Sequence, residues 1–326
     1  MPVSTLKCHL RREAVEQRQN MVLLVDLLPA VKIPDFKEEQ NGFVGHVNVF
    51  NVMVYDAIST DTVCYMWHEG EGIRGRNEVS ACVMQHILTK VPAYVTHLTI
   101  FSKSCEVLKN FTMCAMFLTA LERHGSLTCI DHITFPVGQS CIEIDRQLAT
   151  INRFDRTNNS VISVPSEWCK LVADASNFLV VQMKDLLYDF DSLFSGERPL
   201  LMKNRKTTDG GNFNLRRTCW FRYLPHAHEV KIKKSYNGQD SFIDLSLYGR
   251  RRHHASLSSN LQLKEACHPL PSERVGEMVR TIHSLGVRYH SFYLNQVTNS
   301  PVSDQESDSD DYVVEHSLSM HVNVEE

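Results

Sequence analysis

Asp26 stands alone in an otherwise apolar run, Met21 to Leu28 (MVLLVDLL). An isolated carboxylate in such a setting costs several kcal/mol unless it is paired or binds a metal. A second acid of interest is Asp145, in the first turns of a predicted helix after Gly138, with Glu143 just before it. Acids brought together from separate elements hold Mg²⁺, which prefers hard oxygen ligands and keeps several waters. Two such ions, ~3.5–4 Å apart, stabilise the attacking and the leaving oxygen of a phosphoryl displacement. Each acid also has a plainer reading. Asp26 suits a solvated strand end, and Asp145 suits a helix N-terminus, where the dipole favours negative charge. Asp56 closes another apolar stretch and reads as a turn residue before a hairpin.

Other chemistry is weaker. Trp67-His68-Glu69 invites a catalytic reading with His68 as base. The preferred reading is a core tryptophan followed by two residues that support a strand end. His132, His226, His228, His253 and His254 have no paired cysteines at ligand spacing, so zinc is not expected. The 10 cysteines lie at irregular spacings with no CxxC pair, and the N-terminus lacks a charged-then-apolar leader pattern. They read as reduced thiols of an intracellular protein, the nucleus being among the compartments that fit. No apolar run approaches membrane-spanning length, so no membrane partner is expected.

Charge is unevenly spread beneath a net of −4. From Arg198 to His254 there are 13 Lys and Arg against 4 Asp and Glu. That segment contains Arg216, Arg217, Arg222, Lys233, Lys234, Arg250, Arg251 and Arg252, with Trp220, Phe221, Tyr223, Tyr236 and Tyr248 between them. Neutralised phosphates together with stacked bases are what nucleic-acid surfaces use, so DNA or RNA is the expected partner. The alternative is a solvated β-rich region with core aromatics. From Ser303 to Glu326 there are 8 acids and no Lys or Arg, a composition that predicts disorder and leaves Ser307 and Ser309 as phosphorylation candidates.

The elements that must position these residues follow from periodicity. Residues 1–20 read as a polar helix or a mobile arm. Met21–Leu28, Val44–Asp56, Thr62–Trp67, Thr96–Phe101 and Asp131–Val137 read as strands, the second and third as a hairpin. Asn77–Leu88 reads as a helix with Asn77 as N-cap. Asn110–Leu121, Ile142–Phe154 and Pro165–Ala175 read as further helices. Trp220–Lys233 and Phe242–Tyr248 are strand-like, and Glu273–Leu285 is helix-like. Strands that give way to alternating helices and strands predict an α/β fold, a mixed sheet flanked by helices.

Five stretches, in order, resemble a family. They are Asp26 in VDLLPAVKIP, the block YMWHEGEGIRGRNEVS from Tyr65 to Ser80, GQSCIEIDRQLATIN from Gly138 to Asn152, Trp168, and YHSFY from Tyr289 to Tyr293. Together they resemble a transposase-derived, RNase H-like domain widespread in animal genomes and carried as a domain of unknown function. The resemblance covers about residues 7–297. It implies an RNase H-like sheet and a metal-dependent DNA nuclease or transposase as ancestral activity. It assigns Asp26 and Asp145 to the first and third metal-binding acids. The second acid of the family lies in S-D-x-C-G-G-Q-N. Here that stretch is Ser102-Lys103-Ser104-Cys105-Glu106-Val107, with Lys103 in place of the acid. The histidine of the third motif is Gln139.

A lysine between two aspartates would substitute its own charge for that of a metal. At an effective dielectric of ~20, opposite charges ~4 Å apart attract by roughly 4 kcal/mol before desolvation. The expectation is an Asp26–Lys103–Asp145 cluster, no cofactor, and Mg²⁺ only if activity survives through a rearranged acid, Glu106 or Glu143. The organisation expected is an arm over 1–20, an RNase H-like domain over 21–197, a basic extension packed on it over 198–300, and an acidic tail over 301–326. The function expected is a catalytically inactive protein that binds nucleic acid or a protein partner. The alternatives are an active Mg²⁺-dependent nuclease, or a degraded mobile-element fragment.

Overall fold

The computed structural model describes residues 2–35, 45–139, 141–158, 160–197, 199–225, 229–237, 239–248, 256–264, 268–282 and 285–298. The acidic tail, Ser307, Ser309 and Arg250, Arg251 and Arg252 lie outside the described residues. In chain order the elements are α1 (Val3–Glu16), β1 (Asn20–Leu27), β2 (Val31–Ile33), β3 (Val47–Asp56), β4 (Thr62–His68), α2 (Arg76–Lys90), β5 (His97–Ser102), α3 (Phe111–His124) and β6 (Cys129–Thr134). There follow α4 (Ile142–Thr157), α5 (Pro165–Ser176), β7 (Leu179–Gln182), β8 (Trp220–Tyr223), β9 (Glu229–Lys233), β10 (Ile243–Ser246), α6 (Leu257–Asn260), α7 (Ser272–Ile282) and α8 (His290–Thr298).

The fold is α/β, one mixed sheet flanked by helices. Its strands run in the order β10-β9-β8-β6-β5-β1-β3-β4-β7, with β2 paired to β3. β1, β5 and β6 are parallel to one another, while β3 is antiparallel to both β1 and β4. The run around Asp26 is apolar on both faces because β1 is central. Leu23, Val25 and Leu27 join one core with Val79, Val83, Met113 and Phe117 of α2 and α3. Val22, Leu24 and Leu28 join the other core with Leu6 of α1, Ile144 and Ile151 of α4, and Trp168 of α5. Alternation along a strand therefore decides which helices each side chain meets.

One local signal behaves as the sequence predicts. Asp56 is a turn residue: its carboxylate accepts from Ile58 N at 2.7 Å and from Ser59 Oγ at 3.0 Å. Asn110 caps α3, accepting from Met113 N at 2.8 Å, and Gly125 ends that helix at φ 78°. Other assignments need correction. Asn77 is not the N-cap of α2; Gly75 holds that position, and Asn77 accepts from Phe190 N at 3.1 Å and donates to Asp191 at 3.2 Å. The first residues form a docked helix, since Val3, Leu6 and Ala14 of α1 are buried. The stretch from Trp220 to Lys233 is two strands, β8 and β9, that carry the sheet beyond β6. No helix among the described residues is long and apolar enough to cross a membrane.

β8 is fastened to β6 by a buried ionic network. Asp131, 1% exposed, accepts from Trp220 Nε1 at 2.9 Å, from Arg222 Nε and Nη2 at 2.8 Å each, and bonds His97 Nε2 at 2.8 Å. Burial alone would raise the Asp131 carboxyl, but Arg222 and His97 outweigh it and hold it below the usual carboxylate range. Its bond to Asp131 is the main reason that the His97 imidazole is pushed up to about 10.

Asp131→Asn leaves Arg222 and His97 without their counter-charge and should cost roughly 3–5 kcal/mol in denaturant unfolding. His97 has a folded pKa above its unfolded value, so its contribution is complete below about 6.5 and fades as pH rises through about 10. Thermal melts across that interval should therefore fall more steeply in the wild type than in His97→Gln.

Candidate functional site

The parallel register of β1 and β5 sets Val25 opposite Ser102. One residue further on are Asp26 and Lys103, side by side at the carboxyl ends of two central strands. Both continue the alternation that sends Leu24 and Phe101 toward the α1, α4 and α5 core. Lys103 Nζ forms an ion pair with Asp26 Oδ2. The Asp26 side chain is 3% exposed and that of Lys103 35%. Burial raises the Asp26 carboxyl above its ordinary value; Lys103 works against this and the nearby charge of Asp145 adds to it. Burial also disfavours the Lys103 ammonium, but Asp26 and Asp145 outweigh it and leave its pKa above the ordinary value.

Asp145 comes from the first turn of α4, half-buried, and its charge acts on both partners of the ion pair. Among the described residues Lys103 bonds Asp26 and not Asp145. Glu143 and Glu106, the acids expected to serve a rearranged site, are otherwise placed. Glu143 takes both oxygens to Lys7 Nζ at 2.7 and 2.8 Å and so ties α1 to α4. Glu106 is exposed on the loop after β5.

This arrangement does not fit a two-ion site. A two-metal site holds two divalent ions ~3.5–4 Å apart on carboxylate oxygens, waters and substrate phosphates. The Asp26 oxygen that would serve is occupied by an ammonium, which would repel a divalent ion at the same place. A second cluster, His97, Cys129 and Asp131, has ligand atoms within 4.8 Å of one another. It does not fit a metal either, because Arg222 donates to both Asp131 oxygens.

The Trp67-His68-Glu69 block supports a strand end. Trp67 is buried and donates to Ile73 O at 3.0 Å. His68 accepts from Gly70 N at 3.2 Å through Nδ1 and faces Glu71 at 3.3 Å through Nε2, so both ring nitrogens are engaged. Glu69 pairs with Arg274 at 2.8 Å. His68 lines a cleft of about 400 Å³ with Met66, Glu71, Cys169, Lys184 and Phe292. The closing YHSFY stretch is an anchor: Tyr293 donates to Ser163 O and Tyr289 to Glu167, both at 2.7 Å.

The cations expected to meet nucleic acid divide into two groups. Arg216 and Arg217, in a 3₁₀ turn over Leu215–Arg217, are exposed, as is Lys234. Arg222 is held by Asp131, and Lys233 is 5% exposed, its ammonium 4.3 Å from the Phe242 ring centre and 5.1 Å from that of Trp220. Those two belong to packing, because β8 and β9 are inner strands of the sheet. Three of the interleaved aromatics, Trp220, Phe221 and Tyr223, are buried and offer no stacking faces; Tyr236 and Tyr248 are half-buried, and Tyr236 donates to Thr134 O at 2.7 Å.

The exposed cations share the end of the sheet that holds Lys103. β8 begins there, since Trp220 pairs with Ile133 near the end of β6, and β9 finishes there, since Lys233 pairs with Trp220. Sequence reasoning missed a buried cation at this end. Lys109 is 8% exposed and donates to Ser104 Oγ at 3.2 Å and to Arg216 O at 3.1 Å. Burial pulls its pKa below the ordinary lysine value. An isolated lysine just before a helix carries no sequence signal of burial.

No protein-family model matches the chain, and neither curated protein sequences nor solved structures give a match.

Lys103→Met should leave Asp26 buried without its counter-charge. The cost at neutral pH should be about 1–3 kcal/mol, less than for a fully buried pair because Lys103 is a third exposed. Asp26 already has a folded pKa above its unfolded value of 3.8, and the substitution raises it further. An acid of that kind favours the fold when protonated, so the variant should regain stability as pH falls and lose it as pH rises through the raised value. Urea unfolding across the acidic range checks both the magnitude and the sign.

Proposed function

We propose that this chain is a transposase-derived, RNase H-like protein that has exchanged metal-dependent cleavage for binding, with nucleic acid as its partner. The observation that carries the reading is the ion pair between Lys103 and Asp26. Asp26 lies on a central strand, position 103 at the end of its parallel neighbour, and Asp145 on a flanking helix. Those are the places from which a nuclease of this kind would hold its ions. With a fixed ammonium at the second of them, the centre keeps a positive charge but has no ion to activate a water. Engagement of Glu143 by Lys7 argues against rescue by that acid.

Binding is supported by charge. Arg216, Arg217 and Lys234 are exposed at the same end of the sheet, where they would meet a phosphate backbone. The buried state of the neighbouring aromatics favours contact with phosphates over stacking with bases. An intracellular setting, the nucleus included, agrees with such a partner.

Labelled DNA incubated with the protein and Mg²⁺ or Mn²⁺ should stay intact. Metal-dependent cleavage that disappears in Asp26→Asn and Asp145→Asn would overturn the reading. Affinity for DNA or RNA should fall steeply between about 50 and 200 mM salt, as expected when phosphate contacts release counterions. Binding that is insensitive to salt over that interval would count against a nucleic-acid partner.

A further inference from the structure

Lys109 is a buried cation with no acidic partner among the described residues. Its ammonium has three protons to give, and its two bonds go to neutral acceptors, Ser104 Oγ and Arg216 O. Among the described residues, other buried charges at this end of the sheet have an explanation: Asp26 has Lys103, and Lys233 sits against the rings of Trp220 and Phe242. Burying an ammonium without a counter-ion is unfavourable unless something else supplies negative charge.

The two chain segments that meet at Lys109 each carry further cations. The loop from Lys103 to Lys109 leads out of β5, and the 3₁₀ turn Leu215–Arg217 leads into β8. The bond from Lys109 to Arg216 O brings these two segments into contact. Lys103 lies at one side of the junction, with a third of its side chain exposed and ammonium protons beyond the one given to Asp26. Arg216 and Arg217 lie at the other side, both exposed. The acids whose charge acts on Lys103, or that lie on its loop, are Asp26, Asp145 and Glu106. The first is neutralised by Lys103, the second is half-buried on α4, and the third is exposed on the loop.

We infer that the junction between the Lys103–Lys109 loop and the Leu215–Arg217 turn is an anion site that takes a phosphate group, with Lys109 beneath it and Lys103, Arg216 and Arg217 at its mouth. The inference rests on the nucleic-acid reading above and sharpens it. The phosphate belongs to a nucleic-acid backbone, and it is held by side chains where the ancestral centre would have used metal ions. Binding through this site needs no divalent cation. The same chemistry would accept free phosphate, so the two sources are tested separately.

The full chain is titrated into a fluorescein-labelled oligodeoxythymidine in EDTA, and the dependence of log affinity on log salt is measured. Three variants are compared with the wild type: Lys109→Met, Arg216→Ala/Arg217→Ala, and Asp26→Asn/Lys103→Met, which leaves no buried charge unpaired. Lys90→Ala, an exposed lysine at the end of α2, serves as control. Removing one cation that neutralises a phosphate should lower the salt slope by about 0.7 for a single strand. The expected result is a drop of about that size for Lys109→Met and about twice that for the double arginine variant, with Lys90→Ala unchanged. Wild-type binding with slopes unaltered in all three variants would overturn the site while leaving the nucleic-acid reading intact. If the wild type does not bind the oligonucleotide, that reading fails and inorganic phosphate decides the site. A rise in melting temperature with phosphate, absent with chloride at equal ionic strength and abolished in the arginine variant, supports it. No rise overturns it. The arginine variant lies on the surface, so its answer stands even if Lys109→Met does not fold.

Discussion

A carboxylate buried at the end of a central strand has to be neutralised, and here the neutralising charge is covalently part of the chain. Asp26 and Lys103 face each other because β1 and β5 are parallel and in a register that pairs Val25 with Ser102. Shifting that register by one residue would put the two side chains on opposite faces and strand a charge in each core. The ion pair therefore depends on the sheet, and the sheet in turn must keep its register to avoid an unpaired buried acid. Asp145 on α4 adds negative potential from the helix side, which favours retention of the lysine's proton.

The same sheet end collects positive charge for a topological reason. β8 and β9 extend the sheet past β6 as an antiparallel pair, so the start of one and the end of the other return to the level of Lys103. Asp131 fixes that return by bonding Arg222 and Trp220 from β8 and His97 from β5. Arg216 and Arg217 just before β8, and Lys234 just after β9, are thereby carried to the edge of the centre. α1 is held to α4 by Lys7, whose ammonium engages both carboxylate oxygens of Glu143.

Much of this was legible in the sequence, and what was not has physical causes. The apolar run around Asp26 predicts a strand buried on both faces, and burial on both faces is what makes the lone acid significant. Asn110 and Pro165 mark helix starts by local chemistry alone, and both helices begin beside them. Asn77 failed as a cap because a tertiary partner, Asp191, competes for its side chain. The basic segment was overread: composition counts Arg222 and Lys233 as surface cations, but Asp131, distant in sequence, engages Arg222, and Lys233 is buried. Trp220, Phe221 and Tyr223 are core as well. Lys109 was underread, since its burial is created by the Leu215–Arg217 turn more than a hundred residues later. Periodicity sees which face a residue takes. It does not see which distant loop will close over that face.

In the function proposed above, the Lys103 ammonium paired with Asp26 takes the charge and the place of a metal ion. Calorimetric titration of Mg²⁺ and Mn²⁺ into the wild type and into Lys103→Asp tests it most directly. The wild type should show no saturable binding, and Lys103→Asp should show binding that is abolished when Asp26 or Asp145 is also changed to Asn. Saturable binding to the wild type, dependent on Asp26 and no weaker than in Lys103→Asp, would contradict it.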